Sequence, residues 1–250
     1  MDPQRGGDTL ISRVALCAVV TAGCAKGVSL GALPIDSGDD DVQQDAPSQP
    51  LDAAVPIDAA IPIDAPISVT LSETVTSDIV YGGSWGCSDG NGRNGDVNWY
   101  RGFQLSDFSI TTLFHVQQIM FGVQESDGMP TITVTLASYT GNIDGATVDS
   151  TMLTTLGTPQ TVQIPVSTDM VGEKVTVPYV ADIPAGSKFV VEVSIPNQTA
   201  NNHYMYIGAT TSGEHHPGYF QSVACSVSAP ITSVTAGATG QFIINVVGSH

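Results

Sequence analysis

The segment PTITVTL, residues 130–136, alternates apolar and polar side chains over its length. Ile132, Val134 and Leu136 share one phase, and the three threonines between Pro130 and Leu136 share the other. This period of two predicts a strand with one buried face and one exposed face. Because the buried face needs a second layer to cover it, the segment predicts a sheet packed on another layer of structure.

Similar runs recur through residues 67–250, separated by turn dipeptides such as Asp127-Gly128 and Pro217-Gly218. The other predicted strands are residues 68–72, 99–105, 113–124, 161–166, 174–180, 188–195, 204–210, 218–225 and 241–247. No amphipathic helical stretch accompanies them. About ten strands in one domain predict an all-β fold, namely an antiparallel β-sandwich that is jelly-roll-like, with a barrel as the second candidate.

The N-terminus has the organisation of an export signal. Residues 1–13 contain two arginines, residues 14–20 (VALCAVV) are apolar, and the small residues 21–23 precede Cys24. This order predicts a signal peptide over residues 1–23, and the apolar run is too short to span a bilayer.

The ending Thr-Ala-Gly-Cys resembles the bacterial lipobox. That resemblance implies cleavage before Cys24 and a lipoprotein anchor there, with acyl chains such as palmitate joining the protein to a membrane. Ala25, where an Asp would retain the lipoprotein in the inner membrane, implies the outer membrane or cell surface. Plain cleavage near Ala22 or Ala25 is the alternative.

Residues 24–66 have the composition of a linker. They contain eight Asp, one Lys and no aromatic residue, and a Pro-Ile-Asp triplet occurs three times. Such a segment cannot bury enough apolar surface to form a core, and regular prolines favour extended polyproline II. We therefore expect a disordered linker that carries the domain of residues 67–250; the Asp/Ala/Pro-rich tether resembles those of myxobacterial surface lipoproteins.

The charge balance excludes one class of partner. The 250 residues contain 24 acidic and 7 basic residues, for a net charge of −17. After residue 66 the bases are Arg93, Arg101, Lys174 and Lys188. Binding to nucleic acid requires clustered Lys and Arg, so no nucleic-acid partner is expected.

Two cysteines remain after the signal peptide and Cys24 are set aside. Cys87 and Cys225 form an even pair in an exported domain, where a disulfide is the expected state. Two buried thiols or a metal pair are the alternatives.

Several runs resemble an uncharacterised β-sandwich module of bacteria. These runs are residues 86–87, 98–105, 116–123, 183–186, 189–193, 206–208 and 219–225. Similar modules are appended to secreted proteases and surface proteins. The resemblance implies an accessory function rather than a catalytic one.

Candidate catalytic residues are few. The string GGSWG, residues 82–86, lies in an all-β context and not on the strand-to-helix turn of a serine hydrolase. Glu125, Glu192 and Glu214 offer carboxylates, but nothing in the sequence pairs two of them as glycoside hydrolysis requires. We expect Glu192 instead to pair with Arg101. No catalytic residue is predicted.

Two polar segments could hold a cation. Residues 89–96 (DGNGRNGD) place oxygen ligands at alternate positions, as a calcium loop does, although Arg93 occupies a ligand position. His203, His215 and His216 are zinc-type donors, but adjacent histidines on an extended chain point apart. We predict no metal site or cofactor and leave calcium at residues 89–96 open.

Aromatic side chains could form a platform for a glycan, with about half of them buried by strand alternation. The candidates are Trp85, Trp99, Tyr100, Tyr204, Tyr206, Tyr219 and Phe220. Together these features predict a non-enzymatic, lipid-anchored cell-envelope protein that binds a glycan or a surface protein. A lipid-anchored hydrolase with an unrecognised site is the alternative.

Overall fold

The structure, a computed structural model, describes residues 66–89, 91–168 and 171–250. The predicted signal peptide, Cys24 and the linker as far as Ala65 lie outside the described residues. Within the described ranges, no helix is long and apolar enough to cross a membrane.

The described part of the chain contains thirteen strands. The strands are β1 (Ser68–Ser72), β2 (Val97–Gln104), β3 (Phe114–Asp127), β4 (Thr131–Tyr139), β5 (Leu153–Gln163), β6 (Glu173–Ile183), β7 (Lys188–Ile195), β8 (Tyr204–Ile207), β9 (Ala209–Thr210), β10 (Gly218–Ser222), β11 (Val227–Thr232), β12 (Gln241–Phe242) and β13 (Ile244–Ser249). The helical elements are α1 (Ser233–Ala236) and the 3-10 turns Leu105–Phe108, Ser150–Met152 and Val223–Cys225.

The strands form two large sheets and a small one. One sheet has the order β1-β13-β3-β6, with β8 also paired to β3, and the second has the order β11-β10-β2-β7-β4-β5. Strands β12 and β9 form the small third sheet. Every strand pair in these sheets is antiparallel.

A shared apolar core joins the two large sheets. Phe114 and Ile119 of β3 belong to the same buried cluster as Trp99 of β2 and Val134 and Leu136 of β4. Along β4 the three aliphatic residues of the 130–136 segment are buried, whereas the intervening threonines are exposed or half-buried. The prediction of an all-β antiparallel sandwich is confirmed.

Several strands differ from the sequence prediction, and the predicted strands 204–210 and 241–247 are each divided between two sheets, as β8 with β9 and as β12 with β13. Strand β11 was not predicted, and β5 begins at Leu153 and ends at Gln163, so the predicted strand 161–166 is wrong at both ends. Both lie at the outer edges of the six-stranded sheet, where one side of the backbone needs no partner. An edge strand tolerates the prolines Pro159 and Pro230, and because proline is common in turns, these segments have the sequence pattern of turns.

Candidate functional site

Four segments bring charged side chains together next to the sandwich core. They are the chain just after β1, strand β2 with the 3-10 turn that follows it, the loop between β4 and β5, and the chain just before β10. The backbone amide of His215 donates to the Glu73 carbonyl at 2.8 Å and so joins the first segment to the last. We call the following residues the charged cluster: Glu73, Arg101, Asp107, Asp144, Glu214 and His216.

Arg101 is the fully buried member of the charged cluster. On β2 it shares its inward phase with Trp99 and Phe103, so its guanidinium enters the core. Its Nη1 donates to Oε2 of Glu214 at 2.5 Å and to the His216 carbonyl at 2.8 Å. Its Nη2 donates to the Phe242 carbonyl. These bonds fasten the segment before β10 to the core.

The predicted pair between Arg101 and Glu192 is wrong. In the register of β2 and β7, Glu192 lies opposite Tyr100, and Arg101 lies opposite Val191. Neighbouring residues on a strand point to opposite faces of the sheet, so the Arg101 and Glu192 side chains are on different faces. Burial raises the pKa of Glu192, and the nearby Tyr100 hydroxyl lowers it by less.

Glu73 is a buried carboxyl group with one unpartnered oxygen. The residue is 1% exposed, and its Oε1 has no hydrogen-bond partner. Burial raises its pKa from 4.5 to about 7, although the positive charges of His216 and Arg101 and the His216 backbone amide lower it. Glu73 is thus poised to change charge near neutral pH.

His216 connects two loops. Its Nδ1 lies 2.6 Å from Oδ1 of Asp144, and its Nε2 lies 2.8 Å from Oδ2 of Asp107. Burial lowers the pKa of His216, but the hydrogen bonds to Asp107 and Asp144 outweigh it, so the net shift is upward. Because each ring nitrogen faces a carboxylate, the doubly protonated ring is the form that donates to both.

A pocket of about 400 Å³ opens onto the charged cluster. It is lined by Ser72, Glu73, Asp107, Phe108, His215 and His216. Phe108 supplies an apolar wall and packs against the core through Phe103, whose ring centroid is 6.4 Å away. The pocket therefore combines a buried carboxyl group, an exposed carboxylate and an aromatic ring.

The other histidines do not complete a metal centre. His215 shares the pocket, but His203 follows a separate loop, and its backbone amide donates to the Gln198 carbonyl at 3.4 Å. Across residues 66–89, 91–168 and 171–250, no group of three or more His, Cys, Asp or Glu side chains is arranged to hold a metal ion.

The candidate catalytic groups are dispersed. Ser84 lies in a loop, and its buried Oγ has no hydrogen-bond partner, so no base activates it. Glu125 accepts a hydrogen bond from the Tyr204 hydroxyl at 2.7 Å. Glu214 is held by Arg101, and Glu192 lies opposite Tyr100, whose hydroxyl donates to Gln221 at 2.7 Å. The three glutamates that the sequence offered for catalysis thus have three different neighbours.

The two aspartates of the 89–96 segment, Asp89 and Asp96, interact with different partners. The Asp89 carboxylate forms an ion pair with the Arg93 guanidinium, which lowers the pKa of Asp89. Asp96 instead accepts the backbone amides of Val223 and Ala224, both at 3.0 Å. In this conformation the Arg93 guanidinium occupies the position beside Asp89 that a cation would need.

Asp96 also lies beside the disulfide. Cys87 and Cys225 are bonded, with their Cα atoms 5.8 Å apart, so the disulfide predicted from the sequence is present. A Cβ on Gly95 would be 2.5 Å from the Cβ of Ala224, and this close approach requires a glycine. The disulfide joins the loop before β2 to the 3-10 turn after β10.

The predicted aromatic platform is mostly core. Trp99, Tyr100, Tyr219 and Phe220 are buried, while Trp85, Tyr204 and Tyr206 are half-buried. The rings of Tyr204 and Tyr206 lie 5.4 Å apart, and both hydroxyls already donate within the protein, to Glu125 and to the Gly92 carbonyl.

Sequence analysis missed three members of the charged cluster. Glu73 continues the phase of Val69 and Leu71, so strand alternation extended past β1 places it among buried positions. That signal could have identified it. Asp107 and Asp144 lie in turns, where aspartate is common, and nothing in the sequence distinguishes them.

Comparisons with known proteins give little. No protein-family profile and no curated protein matches the chain. The solved structures that resemble it include the cysteine protease and lectin-like domains of Cwp84, a surface layer associated protein of Clostridium difficile, at 17% identity and a TM-score of 0.42; the match covers 63% of this chain and 32% of that one. A second is infectious bursal disease virus Gx strain, at 11% identity and a TM-score of 0.27, covering 74% of this chain and 36% of the other. The chain thus spans about a third of the length of either protein.

Proposed function

We propose that the protein is a non-enzymatic, lipid-anchored cell-envelope protein that presents its β-sandwich on a flexible tether and binds a glycan or a surface protein. One observation carries the non-enzymatic part. The carboxylates that the sequence offered for catalysis have different surroundings: Glu125 accepts from Tyr204, Glu214 pairs with Arg101, and Glu192 lies on the sheet face opposite to that of Arg101. Glycoside hydrolysis requires two carboxylates that flank one bond, and these three glutamates, each with a different neighbour, do not supply such a pair.

The anchor follows from the sequence around Cys24. Mutating Cys24→Ser removes the thiol that would accept the diacylglycerol, whereas Cys17→Ser changes a cysteine within the predicted signal peptide. We expect the parent and the Cys17→Ser variant in the membrane fraction after a high-salt wash and the Cys24→Ser variant in the soluble fraction. Retention of Cys24→Ser on the membrane would refute the anchor.

The binding function is tested by a screen of the purified chain on glycan and peptide arrays. We expect saturable binding to a restricted set of ligands, without turnover of any of them. Arrays without a specific ligand would overturn the binding function.

A hydrolase remains the second candidate, because Glu73, His215 and His216 line one pocket. A carboxyl group with a pKa near neutral is suited to general acid–base catalysis. Hydrolysis of an arrayed glycan or peptide that is lost in Glu73→Gln would replace the binding proposal with this one.

A further inference from the structure

We infer that the pocket beside Glu73 binds a primary ammonium group on an alkyl chain, the end of a lysine side chain on a cationic partner. The inference rests on the binding function proposed above and names its ligand class. It starts from Glu73, which lines the pocket, is 1% exposed and leaves Oε1 without a hydrogen-bond partner. A buried acceptor without a donor destabilises the protein, and a ligand that donates to it removes this penalty.

The charges around Glu73 favour a cation. The charged groups that face it are His216, Arg101 and Asp107. Arg101 is already neutralised by Glu214, and His216 is shared between Asp107 and Asp144. Once Glu73 is ionised, three carboxylates therefore surround one imidazolium, and a further positive charge balances them.

The shape of the polar and apolar walls favours an alkylammonium. An ammonium carries three donors and no acceptor, which suits the unpartnered Glu73 oxygen and the exposed edge of Asp107. Phe108 is half-buried at the pocket wall and offers an apolar surface for a methylene chain. Lysine side chains bind in this manner, with the stem on apolar surface and the charge at a polar end.

The whole molecule adds long-range attraction. With a net charge of −17, the chain draws cationic partners and repels anionic ones. Short-range contacts in the pocket would then select an ammonium end among the cationic groups that arrive. The partner that fits is a protein or peptide surface with an exposed lysine.

The test uses the purified full chain and two small probes at pH 7.5 and low salt. Nα-acetyl-lysine-N-methylamide carries the ammonium, and Nα-acetyl-norleucine-N-methylamide has the same stem with a methyl group in its place. By calorimetry or NMR titration we expect the lysine probe to bind at least ~10-fold more tightly than the norleucine probe, a ratio that corresponds to about 1.4 kcal/mol.

Two pocket variants and one matched control locate the site. Glu73→Gln keeps the shape and the acceptor for the His216 amide but cannot ionise, and we expect it to weaken lysine binding at least tenfold. Asp107→Asn, at the more exposed rim, should weaken it several-fold. Glu192→Gln changes another desolvated carboxyl group, on the other face of the sheet, and should leave the affinity unchanged.

Proton release gives an independent readout. Because the ammonium favours ionised Glu73, binding at pH 6.5 should release more protons from the parent than from Glu73→Gln, in which His216 is the titrating group left beside the ligand. Equal binding of the two probes, or full affinity in both pocket variants, would overturn the ammonium site. If ligands still bind on the arrays in that case, the binding function stands without this site; if the arrays are also blank, both proposals fall.

Discussion

Arg101 illustrates how one buried charge orders a loop. Its guanidinium has no exposure; Nη1 donates to Glu214 and to the His216 carbonyl, Nη2 donates to the Phe242 carbonyl, and Nε has no hydrogen-bond partner. The absence of a Cβ at Gly218 gives this guanidinium room, since a Cβ there would lie 3.1 Å from Nη2. The pocket wall at His216 therefore depends on a residue that does not line the pocket.

Removing the carboxylate of Glu214 should be severe. Glu214→Ala leaves the Arg101 charge buried and unpaired, which costs about 3–5 kcal/mol. We expect the melting temperature to fall by about 6–20 °C, at ~2–4 °C per kcal/mol for a domain of this size. Glu125→Ala, which removes a carboxylate bonded to half-buried Tyr204, should cost under ~1.5 kcal/mol.

The double variant Arg101→Met/Glu214→Leu separates the charge from the packing. Because it removes both ions, it should recover at least half of the loss seen in Glu214→Ala. Melting of Glu214→Ala within two degrees of the parent would contradict the structural importance of the pair.

Glu73 makes stability depend on pH. Its folded-state pKa of about 7 lies above 4.5, so the folded protein holds a proton that the unfolded chain releases. This stabilising contribution is complete below pH 4.5 and is lost as the pH rises to about 7, a loss of roughly 3 kcal/mol. His216 acts in the same direction, since its raised pKa adds stability below its ordinary value that is lost at higher pH.

Glu73→Gln should therefore be more stable than the parent at pH 8 and similar to it at pH 4.5. At pH 8 we expect its melting temperature to be about 6–12 °C higher, because the desolvated carboxylate is gone. Thermal melts from pH 4.5 to 8 measure this, with Glu173→Gln, the same change at an exposed carboxylate of β6, as the control. Parallel pH profiles for the parent and Glu73→Gln would show that Glu73 does not titrate in this range.

At the scale of elements, the position of a strand in its sheet determines how well its bounds can be predicted from the local sequence. The central strand β7 was predicted with its exact bounds, because both of its neighbours, β2 and β4, enforce its alternation. The edge strands β5 and β11 contain prolines and have few buried residues. Their pairing depends on the neighbouring strand and not on their own pattern.

The Cys87–Cys225 disulfide covalently joins the loop before β2 to the 3-10 turn after β10. It closes a loop of 138 residues, which stabilises the fold by about 4–5 kcal/mol in the chain-entropy treatment. We expect the Cys87→Ser/Cys225→Ser variant to melt at least ~8 °C below the parent. The control Cys24→Ser, which leaves the disulfide intact, should melt at the same temperature as the parent. Separate Cys87 and Cys225 peptides in a non-reducing digest of the parent would contradict the bond.

At the scale of the whole molecule, the sandwich should fold without the preceding linker. The aromatic-free, acidic composition of residues 25–66 cannot offset an ordering cost of about 1–2 kcal/mol per residue. Deleting residues 25–66 should therefore leave the melting temperature within a few degrees, the shift expected for well under ~1 kcal/mol.

The control for this deletion is the parent chain under the same conditions. A fall of ten degrees or more would show that the segment packs on the sandwich, for instance as an added edge strand through Ile57, Ile61 and Ile63. That outcome would refute the tether assignment.

The sequence by itself determined the all-β sandwich, since side chains alternating with a period of two can bury only one face of each strand. It also predicted the Cys87–Cys225 disulfide, because these are the two cysteines that lie in the domain of residues 67–250. The charged cluster was decided only by tertiary structure. Arg101 meets Glu214 across 113 residues, and the choice between Glu214 and Glu192 depends on sheet face and loop position. Strand alternation determines the sheet face on which a side chain lies. The path of the loops determines which charged side chain lies next to it, as Glu214 does beside Arg101.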